Sequence, residues 1–87
     1  MYNSEPTVVK FIDADEKYEV PFAAYEIINE KGEVIEEDFT DETGVVELSA
    51  LEKGSYFIKA KVAGYAETIR KVSVGILATK TVKIALQ

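Results

Sequence analysis

The sequence predicts an all-β fold, a seven-stranded antiparallel β-sandwich. Three observations lead to it. Short segments alternate apolar and polar residues at period two, the spacing of a half-buried strand, as where Tyr56, Ile58 and Ala60 alternate with Phe57, Lys59 and Lys61. Polar turns that close on a glycine separate these segments, at Gly32, Gly44 and Gly54. A type I turn followed by a residue at positive φ has this form, and glycine takes that conformation without steric cost. Finally, no stretch repeats apolar residues at the helical period, and about seven short strands with regular turns fit a sandwich.

Taken in order, residues 1–6 form a short polar arm that ends at Pro6. Residues 7–13 (TVVKFID) are β-branched and aromatic and make the first strand. Residues 13–21 form a polar loop, and Pro21, lacking a donor, suits a strand entry or edge. A second strand over 22–29 turns Ala23, Tyr25 and Ile27 inward. The turn at Glu30, Lys31 and Gly32 leads to a third strand over 33–40. Asp41, Glu42, Thr43 and Gly44 turn into residues 45–48. A turn at Glu52, Lys53 and Gly54 opens the central strand over 55–62, and Gly64 with Tyr65 turns again. Two closing strands follow, over 65–74 and 78–86, split at Gly75, Ile76 and Leu77. The predicted core comprises Val9, Phe11, Tyr25, Ile27, Ile35, Phe39, Val46, Leu48, Leu51, Tyr56, Ile58, Val72, Val74, Val82, Ile84 and Leu86.

Eighty-seven residues allow one core, so 7–87 reads as a single domain behind the arm at 1–6. A chain of this size buries only about 60–65% of its unfolded surface, which keeps its stability modest. There is no cysteine, hence no disulfide or thiolate metal site. There is no histidine either, which removes the commonest general base near neutral pH and the commonest metal ligand. The net charge of −6 disfavours nucleic acid and anionic membranes. Residues 1–52 carry fifteen acidic and three basic side chains, and residues 53–87 carry one acidic and seven basic. No segment reaches the apolar length of a membrane span, and the first ten residues do not read as a signal peptide; for a secreted parent, the targeting segment is expected outside this chain.

A family resemblance rests on four groups of residues. They are Thr40 and Asp41 with Gly44, Val46 and Leu48; Leu51 and Gly54 with Tyr56, Ile58 and Ala60; Gly64 with Tyr65; and the endings Val72, Val74 and Val82, Ile84, Leu86. In these the chain resembles the transthyretin-like (prealbumin-like) β-sandwich modules: carboxypeptidase regulatory-like domains, Cna-B repeats and PEGA modules. The physical reading agrees. Asp41 can bond amides of its own turn, Leu51 caps an end of the core, and Tyr56 buries its ring while its hydroxyl stays at the rim. The chain departs from the family at residues 14–21, which lack the usual glycine and proline turn.

The resemblance implies one chemistry to test. Cna-B repeats often join a first-strand lysine to a last-strand Asn or Asp, assisted by a buried carboxylic acid. Here Phe11 stands at the lysine position and Lys59 at the acid position. A slip of one residue offers Lys10, but residues 81–87 hold no Asn or Asp, so no cross-link is expected. Hydroxyisourate hydrolysis and iron dioxygenase chemistry in relatives of this fold rely on histidine, which is missing. Asp13, Asp15, Glu16, Asp41 and Glu42 read as solvated turn acids, since calcium needs six to eight oxygens around one point and no EF-hand spacing is present. Glu36 and Asp38 share a strand face that Glu37 does not, and they read as a solvated face. No catalytic, cofactor-binding or metal-binding residue is assigned, and no cofactor is expected.

One candidate ligand or partner face remains: Lys59, Lys61, Lys71 and Lys83, at outward positions of the last three strands. Against it stands local pairing with Glu26, Glu36, Asp38, Glu47 and Glu67, and protection of sheet edges by charge. Exposed Tyr2, Tyr18 or Phe57 could anchor a sugar ring. The expected function is a non-catalytic structural or adhesion module within a larger extracellular or envelope protein. Its partners are then neighbouring domains, and it is a monomer or weakly self-associating. The alternatives are a carbohydrate- or protein-binding module, or an engineered scaffold.

Overall fold

The β-branched and aromatic run at the start forms β1 (Thr7–Asp13), with the bounds its composition predicts. The computed structural model describes residues 7–48, 51–74 and 80–87. The predicted arm at 1–6, the break at Gly75, Ile76 and Leu77, and the expected start of the last strand at Ala78 lie outside these residues. After β1 come β2 (Ala24–Ile28), β3 (Val34–Phe39), β4 (Val45–Glu47), β5 (Gly54–Ala60), β6 (Thr68–Val74) and β7 (Lys80–Leu86). They make two sheets, ordered β4-β1-β7 and β3-β2-β5-β6, which pack as a sandwich.

Among the described residues, four of the five strand pairings are antiparallel. The fifth corrects the wholly antiparallel expectation, because β1 and β7 run parallel from Thr7↔Lys80 to Asp13↔Leu86. Parallel neighbours require a long crossover. Here the crossover is the whole chain from β2 to β6, which the alternation within one strand cannot reveal.

The core follows period two on both sheets. Val9 and Phe11 of β1, Val46 of β4, and Ile84 and Leu86 of β7 face Tyr25 and Ile27 of β2, Tyr56, Ile58 and Ala60 of β5, and Val72 and Val74 of β6. The rings of Phe11 and Tyr25 stack across the sandwich, with centroids 6.3 Å apart and planes at 26°. Fully burying a side chain such as Phe11, Ile58 or Ile84 contributes roughly 1.5–3 kcal/mol each. Leu51 and Val82 are partly buried and pack against this cluster. The Tyr56 ring is buried, and its hydroxyl donates to the Glu52 carbonyl at 2.6 Å.

Two predicted core residues lie outside. Ile35 and Phe39 are 44% and 66% exposed. β3 is the edge of the wider sheet, and all its residues are exposed. A β-bulge also shifts its register: Ile27 pairs with Glu36 but Ile28 with Val34, leaving Ile35 as the extra residue. Beyond the bulge Asp38 and Glu36 stand opposite inward Tyr25 and Ile27, and Phe39 stands opposite Ala24.

The connection from β1 to β2 is more ordered than the predicted polar loop. Asp13 N–H donates to the Tyr18 carbonyl at 2.8 Å and Val20 N–H to that of Phe11 at 2.9 Å, around an Ile12↔Glu19 bridge. This folds the chain back and buries Val20, a core residue the sequence reading omits. Val20 packs on the Asp41 turn, where Gly44 has φ 71 and its N–H donates to the Asp41 carbonyl at 3.2 Å. The second strand starts at Ala24 rather than at 22, since Phe22 has φ 52 and stands outside it. Gly54 opens β5 at φ 156, so its turn is not the left-handed form found at Gly32 and Gly44. Tyr65 lies in a connection, and the strand predicted to start there starts at Thr68.

Candidate interaction face

Lys59 and Lys71 stand on the outer face of the four-stranded sheet, with Lys61 following β5 directly. Two of the three are held locally. Lys59 Nζ lies 3.3 Å from Glu67 Oε1, and Lys61 Nζ lies 3.2 Å from Glu26 Oε2. The Lys61 hydrogen bond holds the Glu26 carboxyl below its usual range, and the Glu26 carboxylate in turn raises the Lys61 ammonium. Lys71 is exposed, opposite Phe57 in register. Lys83 is elsewhere, on β7 of the other sheet. The four lysines therefore do not form one patch.

A different basic site surrounds Lys83. The parallel pairing places Lys10 beside it on the outer face of the three-stranded sheet. Lys10, Lys83, Lys17 and Glu19, together with Ile12 and Tyr18, line an open groove of about 380 Å³. Tyr18 is 54% exposed. Of its three lysines, only Lys10 makes an ion pair among the described residues, a long one of 3.9 Å to Glu19. From the other sheet, Arg70 Nη1 donates to the Lys83 carbonyl at 3.3 Å and fixes the β7 backbone at the groove. Lys10 and Lys17 lie in the acidic half of the sequence, where charge counting hides them. Their grouping with Lys83 depends on the parallel β1–β7 pairing.

The β3 edge has the opposite character. Glu33, Glu36, Glu37 and Asp38 are exposed, and so are Val34, Ile35 and Phe39. Glu37 stands opposite Glu26, whereas Glu36 and Asp38 lie on the other face, as their spacing predicts. The sequence gives no sign of a pocket here, but Ala24, Glu26, Glu37, Phe39 and Lys61 border an open groove of about 380 Å³. Burial, then the hydrogen bond that its hydroxyl donates to the Glu36 carboxylate at 3.1 Å, push Tyr25 up to about 12.

The turn acids bond their own loops. Asp13 Oδ1 accepts the amides of Asp15 at 2.9 Å and Glu16 at 2.7 Å, and Oδ2 accepts the Tyr65 hydroxyl at 2.7 Å. Asp41 Oδ1 accepts both the hydroxyl and the amide of Thr43. The Glu16 amide and then the Tyr65 hydroxyl hold the Asp13 carboxyl below its ordinary value, and the Thr43 hydroxyl does the same for Asp41. Among the described residues, no group of three or more carboxylates is placed to hold a metal ion. No helix there is long and apolar enough to cross a membrane.

No protein-family model and no curated protein matches the chain. Solved structures do. A group B streptococcus pilus 2b backbone protein is similar at a TM-score of 0.72 and 18% identity, over 95% of this chain and 40% of its own. The Bacillus anthracis TIE protein is similar at 0.73 and 21%, over 94% of this chain and 16% of its own. A 5-hydroxyisourate hydrolase of Klebsiella pneumoniae reaches 0.63 and 16%, over 93% of this chain and 90% of its own. The fold is a transthyretin-like β-sandwich. The chain spans well under half the length of the first two proteins.

Proposed function

We propose that residues 7–87 form one non-catalytic structural or adhesion module, behind an arm at 1–6, within a larger surface or secreted protein. One observation carries the reading. Nearly the whole chain matches a part of a much longer pilus backbone protein, with 95% of this chain against 40% of that one. A fold that recurs as a segment of a longer pilus backbone protein serves naturally as a spacer. The hydrolase of the same fold does not favour catalysis here, because this chain contains no histidine and fold alone does not carry function. The location that follows is the cell envelope or the extracellular space, with neighbouring domains as the first partners.

Antibody labelling of intact, unpermeabilised cells that express the parent protein tests this reading. Surface labelling that protease treatment of whole cells removes is the expected result. A parent found only in the cytoplasm would overturn it. A second reading, a binding module for a glycan or protein ligand, draws on exposed Tyr18 beside the lysine groove. Binding of the isolated chain to an immobilised glycan, lost in Tyr18→Ala, would favour it.

A further inference from the structure

We propose that the module docks on a second copy of itself, the acidic β3 edge of one copy seating in the Lys10–Lys17–Lys83 groove of the next. The two surfaces match in charge and in apolar content. Lys10 and Lys83 are register neighbours on the groove floor, with Lys17, Ile12 and Tyr18 around them. Among the described residues neither Lys17 nor Lys83 forms an ion pair. The β3 edge offers Glu33, Glu37 and Asp38, with Val34 at 52% and Phe39 at 66% exposure. Carboxylates there meet lysines, and Phe39 and Val34 meet Tyr18 and Ile12.

The contact must join two copies. β6 approaches β7 on one side of the sandwich, whereas β3 is the far edge of the same sheet. The groove opens on the outer face of the opposite sheet, so β3 cannot reach the groove of its own chain. A patch that meets a different patch on the next copy is heterologous and extends in a row unless the rotation closes it. Side chains rather than backbone make the contact, because the bulge at Ile35 breaks the edge and Asp38 Oδ1 occupies the Phe39 N–H at 2.8 Å. The purpose of the contact, stacking modules along a stalk, rests on the structural-module reading. Its existence does not.

The test is sedimentation of the full chain across salt. Copies of net charge −6 repel one another, and at about 0.01 M salt the screening length of about 30 Å lets that repulsion act. Near 0.1 M it falls to about 10 Å, so the local pairs survive while the long-range repulsion fades, and at 1 M about 3 Å remains. The expected result is weak association that peaks near 0.1 M and is lost at 1 M. The variant Lys17→Glu with Lys83→Glu, and the variant Glu33→Lys with Glu37→Lys, should each be folded by circular dichroism and monomeric alone. Mixed, they should associate again, since each reversed surface then finds its complement. A strict monomer for the unaltered chain at every salt, association kept in either variant, or no recovery on mixing would each overturn the contact. So would saturable binding of heparin in the groove without self-association, which would assign the lysines to an anionic ligand. A monomer with its parent still on the cell surface would leave the module reading intact. Association with a cytoplasmic parent would do the reverse.

Discussion

The hydroxyl of Tyr65 donates to Oδ2 of Asp13 at 2.7 Å, fastening the connection after β5 to the end of β1. Tyr18 joins the pair, with its hydroxyl 3.5 Å from that of Tyr65. The bond depends on pH at both ends. Asp13 has a lowered folded pKa, so its contribution is complete above the ordinary 3.8 and is lost as pH falls through the lower folded value. Tyr65 is raised, by the Tyr18 hydroxyl and then by Asp13, so its part is complete below 10.0 and is lost as pH rises through the higher folded value. Tyr65→Phe should therefore lower Tm at pH 7. Thermal melts of the two proteins should converge at strongly acid pH. A gap that stays constant down to pH 2 would remove Asp13 from the account.

Gly44 is expected to be the glycine least tolerant of a side chain. It has φ 71, and an added Cβ would stand 2.5 Å from the Val20 carbonyl oxygen. Left-handed strain costs about 1–2 kcal/mol and forced overpacking about 1–3 kcal/mol more. Gly64 has φ 90 but nothing within 4 Å of its added Cβ, so Gly64→Ala carries the strain alone. Denaturant unfolding should place Gly44→Ala at roughly 2–5 kcal/mol of destabilisation and Gly64→Ala at about 1–2 kcal/mol. Equal losses at the two sites would contradict the close approach of Val20.

Truncations should separate the core from the exposed edge. Phe11 is 0% exposed and stacked on Tyr25, so Phe11→Ala should cost about 3–5 kcal/mol. Phe39→Ser and Ile35→Thr, at exposed β3 positions, should stay within about 0.5 kcal/mol. A core-sized loss at Phe39 would mean that the edge is covered in solution.

Covalent closure is not expected. The position that a reactive lysine would occupy holds buried Phe11, and the inward residues of β7 are Val82, Ile84 and Leu86. Intact mass spectrometry should return the mass of the sequence. A deficit of one water or one ammonia would reveal a bond between side chains.

How far the sequence could be read depended on whether the deciding contact was local. β1 and the inward Tyr25 and Ile27, like Tyr56, Ile58 and Ala60, follow from alternation inside one strand. The Asp41 turn follows from an acid that bonds its own amides before a glycine. Ile35 and Phe39 depart from their predicted burial because alternation shows which residues share a face, not whether another sheet covers that face. The bulge that removed Ile35 from the alternation lies in the pairing with β2. Val20 carries no local signal, because its burial comes from the fold-back of residues 13–20 onto the Asp41 turn. The lysine groove was hidden for a related reason: Lys10 and Lys83 are 73 residues apart and become neighbours only through a parallel pairing.

That same pairing sets a mechanical property. A chain continued past both ends would enter at Thr7, beside Lys80, and leave at Leu86, beside Asp13, about 20 Å further along at the usual rise per residue. Force on the two ends would draw β1 and β7 past each other lengthwise. The bonds of their ladder would then resist together, in shear, instead of opening one by one as a hairpin does when its ends are pulled apart. The four-stranded sheet would lie beside this load path and not in it. Rupture would thus be decided by two strands and by Val9, Phe11, Ile84 and Leu86, which lock them into the core.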